Sequence, residues 1–284
     1  MARRRFSVTG MKFGLYGLLR GIGVEPDLLV RRARLAEDAG FESLWVGDHI
    51  ALPPEEGGRD PRLEVVVALS HLAAVTSRIR LGFGVLVLPQ RQPVLLARQV
   101  SSLDHLSRGR VTVGIGVGYV EAELAAMGVA PAERAARTDE YLAAMRALWT
   151  GEPAFRGRWV SYDDVHQRPL PVQRPHPPVV VGGHSTGACR RAVTAGNGWY
   201  GVYLDVPAAA ESLARLRAVA ADRDRPADLG ELEITITPPG PVDLDTVRRY
   251  ADLGVHRLVI APSEEDGSGI EAVIDTVAGF VGRV

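Results

Sequence analysis

The sequence predicts an α/β protein, a (β/α)8 TIM barrel, and three observations support this fold class. Short runs rich in Val, Ile and Leu alternate with longer segments of helical periodicity, about eight times along the chain. Three predicted helices end in a glycine, at Gly40, Gly196 and Gly254, where the left-handed conformation typically closes a helix before the next strand. The chain has 284 residues, close to the ~250 residues of a typical single barrel.

Four predicted strand and helix pairs make up the first half of the chain. The apolar run KFGLY precedes PDLLVRRARLAEDAG, which has proline at the helix start and apolar residues at every third or fourth position. ESLWVG precedes RLEVVVALSHLAAVT, RIRLGFGVLVL precedes PVLLARQVSSLDHL, and RVTVGIGVG precedes a double helical stretch ending in EYLAAMRALW. In the second half, PVVVGG, WYGVY, ELEITITPPG and HRLVIAP are each followed by a helical segment. We therefore predict one barrel domain over residues 12–284, with an insertion at about 151–177 and a disordered N-terminal extension at 1–11.

An open doubly wound sheet is the alternative arrangement of the same alternating pattern. Such a sheet typically has a GxGxxG turn after an early strand. The run from Gly114 to Tyr119, GIGVGY, lacks the third glycine at the required spacing. The barrel is therefore the favoured prediction.

The composition limits which classes of partner and which cellular compartment the sequence predicts. The chain has 33 Lys and Arg residues and 34 Asp and Glu residues, so it has no basic surplus. The charge balance therefore does not predict binding to nucleic acid or to an anionic membrane. The single cysteine, Cys189, cannot form an internal disulfide, and no HExxH or paired CxxC motif predicts a metal site. The most apolar run, IRLGFGVLVLP, is far shorter than the ~20 residues that cross a bilayer. We expect a cytoplasmic protein without a metal.

The run WVGDH ends the second predicted strand on an acid and an imidazole. In a barrel of this class the chemistry lies at the carboxyl ends of the strands, where Asp48 and His49 would stand. Imidazole titrates near neutral pH, so His49 is the candidate proton donor or acceptor, with Asp48 orienting it. The alternative is that both residues serve as helix caps or turn residues.

A second candidate site follows the fifth predicted strand. PVVVGGHSTGA reads as a strand, a glycine pair and a helix start, so the amides of Gly182, Gly183, His184, Ser185 and Thr186 would converge on an anion at the positive end of the helix. The alternative is a tight glycine turn in which Ser185 caps the helix.

Long collinear segments of the chain resemble a known family. LGFGVLVLPQRQPVLLARQVSSLDHLSRGRVTVGIGVGY, then RTDEYLAAMRALW, then RPHPPVVVGGHS, are similar to the luciferase-like monooxygenase superfamily, and most to its branch that uses the deazaflavin coenzyme F420. The resemblance implies a bacterial-luciferase-like barrel in which Asp48 and His49 contact the cofactor ring. It also implies a cis peptide bond between Gly84 and Val85 that backs the ring, further cofactor contacts at Val117 and Gly118, and cofactor phosphate binding at Gly182–Thr186.

The resemblance implies a hydride transfer between F420 and a small organic substrate. The alternatives are an FMN-dependent monooxygenase on the same scaffold and a barrel that binds flavin without turnover. Tyr119 stands where relatives that oxidise sugar phosphates carry an acid, which argues against such a substrate. We expect substrate contacts in the loops ALPPEEGGRDP and FRGRWVSYDDVHQRP. Whether the chain is monomeric or a homodimer stays open at this point.

Overall fold

The computed structural model describes residues 10–264 and 266–283 and confirms the predicted barrel. Eight parallel strands pair in a closed ring, because the third strand pairs with both the second and the fourth, and the eighth pairs with the first. The open doubly wound alternative is excluded. The strands are β1 (Lys12–Tyr16), β2 (Ser43–Val46), β3 (Arg80–Phe83), β4 (Val111–Gly116), β5 (Val179–Gly182), β6 (Gly198–Val202), β7 (Glu233–Thr237) and β8 (Arg257–Ile260). Most of the predicted N-terminal extension, residues 1–9, lies outside the described residues.

Helices cover the outside of the barrel between the strands. They are α1 (Pro26–Asp38), α2 (Val65–Val75), α3 (Pro93–Leu106), α4 (Glu121–Ala126), α5 (Arg134–Thr150), α6 (Thr186–Ala195), α7 (Val206–Ala221), α8 (Leu244–Asp252) and α9 (Ile270–Ala278). The apolar faces of all these helices but α4 join the outward-facing strand residues in one large core, whereas Leu124 of α4 packs with Val87 and Val129. Within the described ranges, none of these helices is long and apolar enough to cross a membrane.

The segment between α5 and β5 forms a short hairpin on the outside of the barrel. Its strands, Phe155–Arg156 and Ser161–Tyr162, pair antiparallel. The Tyr162 hydroxyl donates to the Ala144 carbonyl of α5 at 3.1 Å, and the Glu140 carboxylate of α5 accepts from the backbone amides of the hairpin tip. These contacts tie the hairpin along α5.

Aromatic side chains fill the interior of the barrel. Trp45 of β2 and Tyr200 of β6 are buried with their ring centres 5.3 Å apart, and they pack with Val180 and Val259. Glycines leave room for the indole, since a Cβ atom on Gly82 would lie 2.7 Å from Trp45. The interior is thus a packed core rather than a channel.

The amino-terminal end of the barrel is closed by a buried ion cluster. Arg257 is 3% exposed, and its guanidinium donates to the carboxylates of Glu42 and Glu233, each at 2.9 Å at its shortest. A buried arginine requires such partners because an unpaired buried charge is costly. The ion cluster therefore fills the amino-terminal end of the barrel.

All three predicted glycine helix ends are confirmed, and two of them have the predicted left-handed conformation. Gly40 and Gly254 adopt φ of 88° and 89°, the left-handed conformation. At Gly196 only the predicted left-handed conformation is wrong, because this residue ends α6 but is extended with φ of −112°. Its glycine is needed for space instead, since a Cβ atom there would lie 3.0 Å from the carbonyl oxygens of Ala192 and Gly198.

Candidate active site at the carboxyl ends of the strands

The barrel brings the predicted site residues to one end of the molecule. All of them lie at or directly after the carboxyl ends of β2, β3, β4 and β5: Asp48, His49, Gly84, Val85, Val117, Gly118, Gly182, Gly183, His184, Ser185 and Thr186. This is the end at which barrels of this class carry their chemistry. Among the described residues, no group of three or more His, Cys, Asp or Glu side chains has the arrangement of a metal site.

Asp48 is buried and bound to the chain that follows β3. Its carboxylate accepts from Arg91 Nε at 2.8 Å, from Arg91 Nη2 at 2.5 Å and from the Val87 amide at 3.1 Å. This bidentate pair fixes the loop after β2 to the chain after β3. The prediction that Asp48 orients His49 is wrong, because the Asp48 oxygens are bound elsewhere.

The residue that orients His49 is Glu123 of α4. Its Oε2 lies 3.1 Å from His49 Nδ1, and its Oε1 accepts from the backbone amides of Ile50 at 2.5 Å and Ala51 at 3.2 Å. The Glu123 side chain is 1% exposed, whereas that of His49 is 19% exposed. A buried carboxylate thus holds an imidazole that reaches the solvent side of the site.

Electrostatics decide which nitrogen of His49 carries the proton. Burial alone raises the pKa of Glu123, but the hydrogen bonds from His49 and from the Ala51 amide outweigh it and lower the pKa. Glu123 is therefore ionised at neutral pH and only accepts hydrogen bonds. Nδ1 must donate, which leaves the lone pair of the neutral ring on Nε2. That nitrogen has no hydrogen-bond partner among the described residues.

The peptide bond between Gly84 and Val85 is cis, as the resemblance implied. The Val85 side chain packs against the backbone of three glycines. A Cβ atom would lie 2.7 Å from a Val85 methyl group if it were on Gly116, 2.9 Å if on Gly182 and 3.1 Å if on Gly114. These glycines make room for the Val85 side chain, which is partly exposed at the end of the barrel.

Val117 and Gly118 continue the chain from β4. Gly118 has φ of 80°, and a Cβ atom there would lie 2.7 Å from Val87. Both residues are partly exposed at the mouth of the barrel. Gly118 therefore serves the close approach of two loops, which leaves Val117 as the side chain available to a ligand.

The turn after β5 is built as a helix start. Ser185 Oγ accepts from the Ala188 amide at 3.2 Å, which makes it the cap of α6. Gly183 has φ of 117°, and its carbonyl accepts from the Trp199 indole at 2.8 Å. The capping alternative for Ser185 is confirmed, and anion binding by the neighbouring amides stays a prediction.

Backbone amides at this turn remain available to an anion. No acceptor in the described part of the chain takes a hydrogen bond from the amides of residues 184–187, which are exposed. The His184 ring points away from them, because its Nε2 accepts from the Val202 amide at 3.1 Å. Burial, with a smaller effect from Arg215, lowers the pKa of His184, so this ring is neutral.

Tyr16 is a site residue that the sequence did not single out. It ends β1, and a Cβ atom on Gly47 would lie 2.0 Å from its hydroxyl oxygen, so this glycine makes room for the phenol. Burial, with a smaller effect from Tyr203, raises the pKa of Tyr16 to about 12. The phenol therefore stays protonated at neutral pH. Its position at the carboxyl end of the first strand was the available signal.

Comparison with known proteins identifies the family to which this barrel belongs. A family model described as luciferase-like monooxygenase matches residues 11–261. The chain belongs to the luciferase-like monooxygenase family, a family of oxidoreductases.

Relatives and solved structures agree with this assignment. An uncharacterized protein of Mycobacterium tuberculosis is 33% identical over 94% of this chain and 98% of its own length. The FMNH2-dependent dimethylsulfone monooxygenase of Pseudomonas putida is 30% identical over 59% of this chain and 46% of its own length. The structure of an F420-dependent secondary alcohol dehydrogenase with an F420-acetone adduct superposes with a TM-score of 0.76, at 16% identity, over 95% of this chain and 98% of that chain. The last comparison supports the fold alone.

Proposed function

We propose that the protein is an F420-dependent oxidoreductase that transfers a hydride between the deazaflavin and a small organic substrate. The observation that carries the proposal is His49, whose Nδ1 is held by the buried carboxylate of Glu123 while Nε2 remains available. A group that gives or takes a proton beside a hydride acceptor needs this arrangement. The cofactor, when bound, supplies the redox chemistry.

The residues present fit a flavin-type cofactor. Gly114, Gly116 and Gly182 make room for the Val85 side chain, which is partly exposed at the end of the barrel, so a flat ring would rest against Val85. Exposed amides of residues 184–187 at the positive end of α6 suit its phosphate. His49 would donate or accept the substrate proton through Nε2, and the packed core below would exclude water.

An FMN-dependent monooxygenase is the second candidate function. It is favoured by the 30% identity to an enzyme named for FMNH2 dependence. Both candidates would rest the cofactor ring against Val85 and use the same amides, so cofactor identity separates them.

Side-by-side equilibrium titration of the purified protein with F420 and with FMN tests the proposal. We expect micromolar or tighter binding of F420, which corresponds to about 8 kcal/mol, and clearly weaker binding of FMN. Tighter binding of FMN would replace the first candidate by the second. Failure to bind either cofactor would contradict both.

Gly183→Val and Gly128→Val form a matched pair for the phosphate site. Both glycines have positive φ, 117° and 69°, so both substitutions strain the backbone. Only Gly183 adjoins the exposed amides, whereas Gly128 has open space around it. We expect Gly183→Val to weaken cofactor binding by about 10- to 100-fold, the value of a hydrogen bond to a charged group. Equal affinity in the two variants would place the phosphate elsewhere.

A further inference from the structure

Two arginines at the mouth of the barrel have no carboxylate partner in the described part of the chain. Arg20 follows β1 and Arg62 precedes α2, and both side chains are half-buried. Among residues 10–264 and 266–283, no carboxylate lies within ion-pair distance of either guanidinium. The Nε atom of each is buried and has no hydrogen-bond partner there. Buried polar groups are normally paired, so these two donors require a partner.

The backbone holds the two arginines opposite each other. They form an antiparallel bridge, flanked by two backbone hydrogen bonds of 3.0 Å between the neighbouring residues. In this non-hydrogen-bonded type of pair the Cα atoms lie about 4.5 Å apart and the side chains are on one face. Like charges placed directly opposite destabilise such a pair. An anion between the two guanidinium groups would remove that repulsion.

The arginine pair borders the candidate proton-transfer group. Tyr16, Arg20, His49 and Arg62 line one recess at the mouth. The Arg20 guanidinium carbon lies 6.0 Å from the centre of the Tyr16 ring, within the range of a cation–π contact. An anion held by the arginines would therefore bring the rest of its molecule close to His49.

The pair lies across the mouth from the turn that suits the cofactor phosphate. Arg20 follows β1, whereas that turn follows β5, and strands one and five are opposite in a ring of eight. The arginines and the amides of that turn therefore lie on opposite sides of the mouth. Exposed apolar side chains follow β2, β4 and β6 on the same rim, with Ile50 40%, Tyr119 71% and Tyr203 56% exposed. The rim suits a molecule with an apolar body.

We propose that Arg20 and Arg62 bind the carboxylate of the substrate, which is a small carboxylic acid with an aromatic or aliphatic body. The planar forks of two guanidinium groups match the two oxygens of a carboxylate. This inference rests on the proposed function, because it names the substrate class of the same site. It explains the unpartnered donors and the apolar rim together.

The test compares a carboxylate with its neutral amide. Binding of 3-phenylpropionate and of 3-phenylpropionamide to the cofactor-free protein is measured by calorimetry at low salt, in wild type, Arg20→Gln, Arg62→Gln and Arg62→Lys. Arg248→Gln is the control, since Arg248 is exposed on α8 and has no ion pair among the described residues. Thermal melts establish that each variant is folded, and a separate F420 titration is run on each.

We expect wild type and Arg248→Gln to bind the carboxylate and not the amide. Arg20→Gln and Arg62→Gln should each weaken carboxylate binding by about 10- to 100-fold, as loss of a charged hydrogen bond predicts. Arg62→Lys should retain part of the affinity and serves if Arg62→Gln does not fold. Equal or absent binding of the two probes to wild type, or unchanged affinity in the folded variants, would overturn the proposal. Loss of F420 binding in the arginine variants would also overturn it, by assigning the pair to the cofactor. Failure of F420 binding in every variant and in wild type contradicts only the proposed function.

Discussion

Replacing Glu123 by glutamine tests how the site sets the proton position on His49. In the wild type, Oε1 accepts from the amides of Ile50 and Ala51, and Oε2 accepts from His49 Nδ1. A glutamine has one oxygen, and two backbone donors require it, so its amino group must face the imidazole. Two donors cannot share a hydrogen bond. The proton of the neutral ring should therefore move from Nδ1 to Nε2.

The expected loss of activity is large because the tautomer shift places a proton on Nε2, the nitrogen that exchanges a proton with the substrate. With Nε2 protonated, the neutral ring no longer accepts a proton from the substrate, and acid or base groups contribute typically about 10²–10⁴-fold in rate. Stability should fall by about 1.5–3 kcal/mol, the value of a hydrogen bond to a charged group.

The stability difference should also depend on pH. The pKa of Glu123 is lowered in the folded protein, because the hydrogen bonds it accepts outweigh the effect of burial. Its contribution is therefore present above the ordinary glutamate pKa of about 4.3 and is lost as pH falls through the lower folded value. The free energies of unfolding of wild type and Glu123→Gln should approach each other in acid.

Long-range ¹⁵N NMR of the histidine rings measures the proton position directly, without a substrate. We expect the His49 ring of wild type to carry its proton on Nδ1 and that of Glu123→Gln to carry it on Nε2. Glu121→Gln is the matched control, because Glu121 is exposed on the same helix and its substitution removes the same charge. The same tautomer in wild type and Glu123→Gln would refute the reasoning.

Three further substitutions separate chemistry from architecture. His49→Ala should lower turnover of a verified substrate by about 10²–10⁴-fold and change the cofactor Kd much less. Steady-state rates measure the turnover and a cofactor titration measures the Kd. Unchanged turnover would contradict the role of His49 in proton transfer. Asp48→Asn should destabilise the fold by about 3 kcal/mol or more, since it breaks a buried pair with Arg91, and urea unfolding measures this. Ser185→Ala should cost about 1 kcal/mol of stability through loss of the cap on the Ala188 amide, as a melt of the cofactor-free protein would show.

The fold was predictable because local signals repeat along the chain. Each apolar run predicted a strand and each amphipathic segment predicted a helix. The number and order of these elements are compatible with few topologies. The strand ends then located the mouth, which is why His49 could be singled out from WVGDH. Gly196 shows the limit, since a glycine needed for space and a glycine needed for positive φ look the same in a sequence.

Contacts between loops were not predictable from the sequence. Glu123 lies 74 residues from His49, and Arg91 lies 43 residues from Asp48. In the sequence Glu123 is one acid in an ordinary amphipathic helix, and Asp48 is the nearer partner for the imidazole. Only closure of the barrel places the loops after β2, β3 and β4 side by side.

Two carboxylates hold the loop after β2 from opposite sides, and this explains which of its groups remains free. Asp48 ties the loop to the chain after β3 through Arg91, and Glu123 ties it to α4 through two backbone amides. The same Glu123 carboxylate also occupies His49 Nδ1. Among the described residues, every polar side-chain atom from Asp48 to Ala51 is therefore hydrogen-bonded to the scaffold, except His49 Nε2. The loop therefore presents one proton-transfer atom, His49 Nε2, to the mouth. The two carboxylates hold this atom in position through contacts that do not involve it.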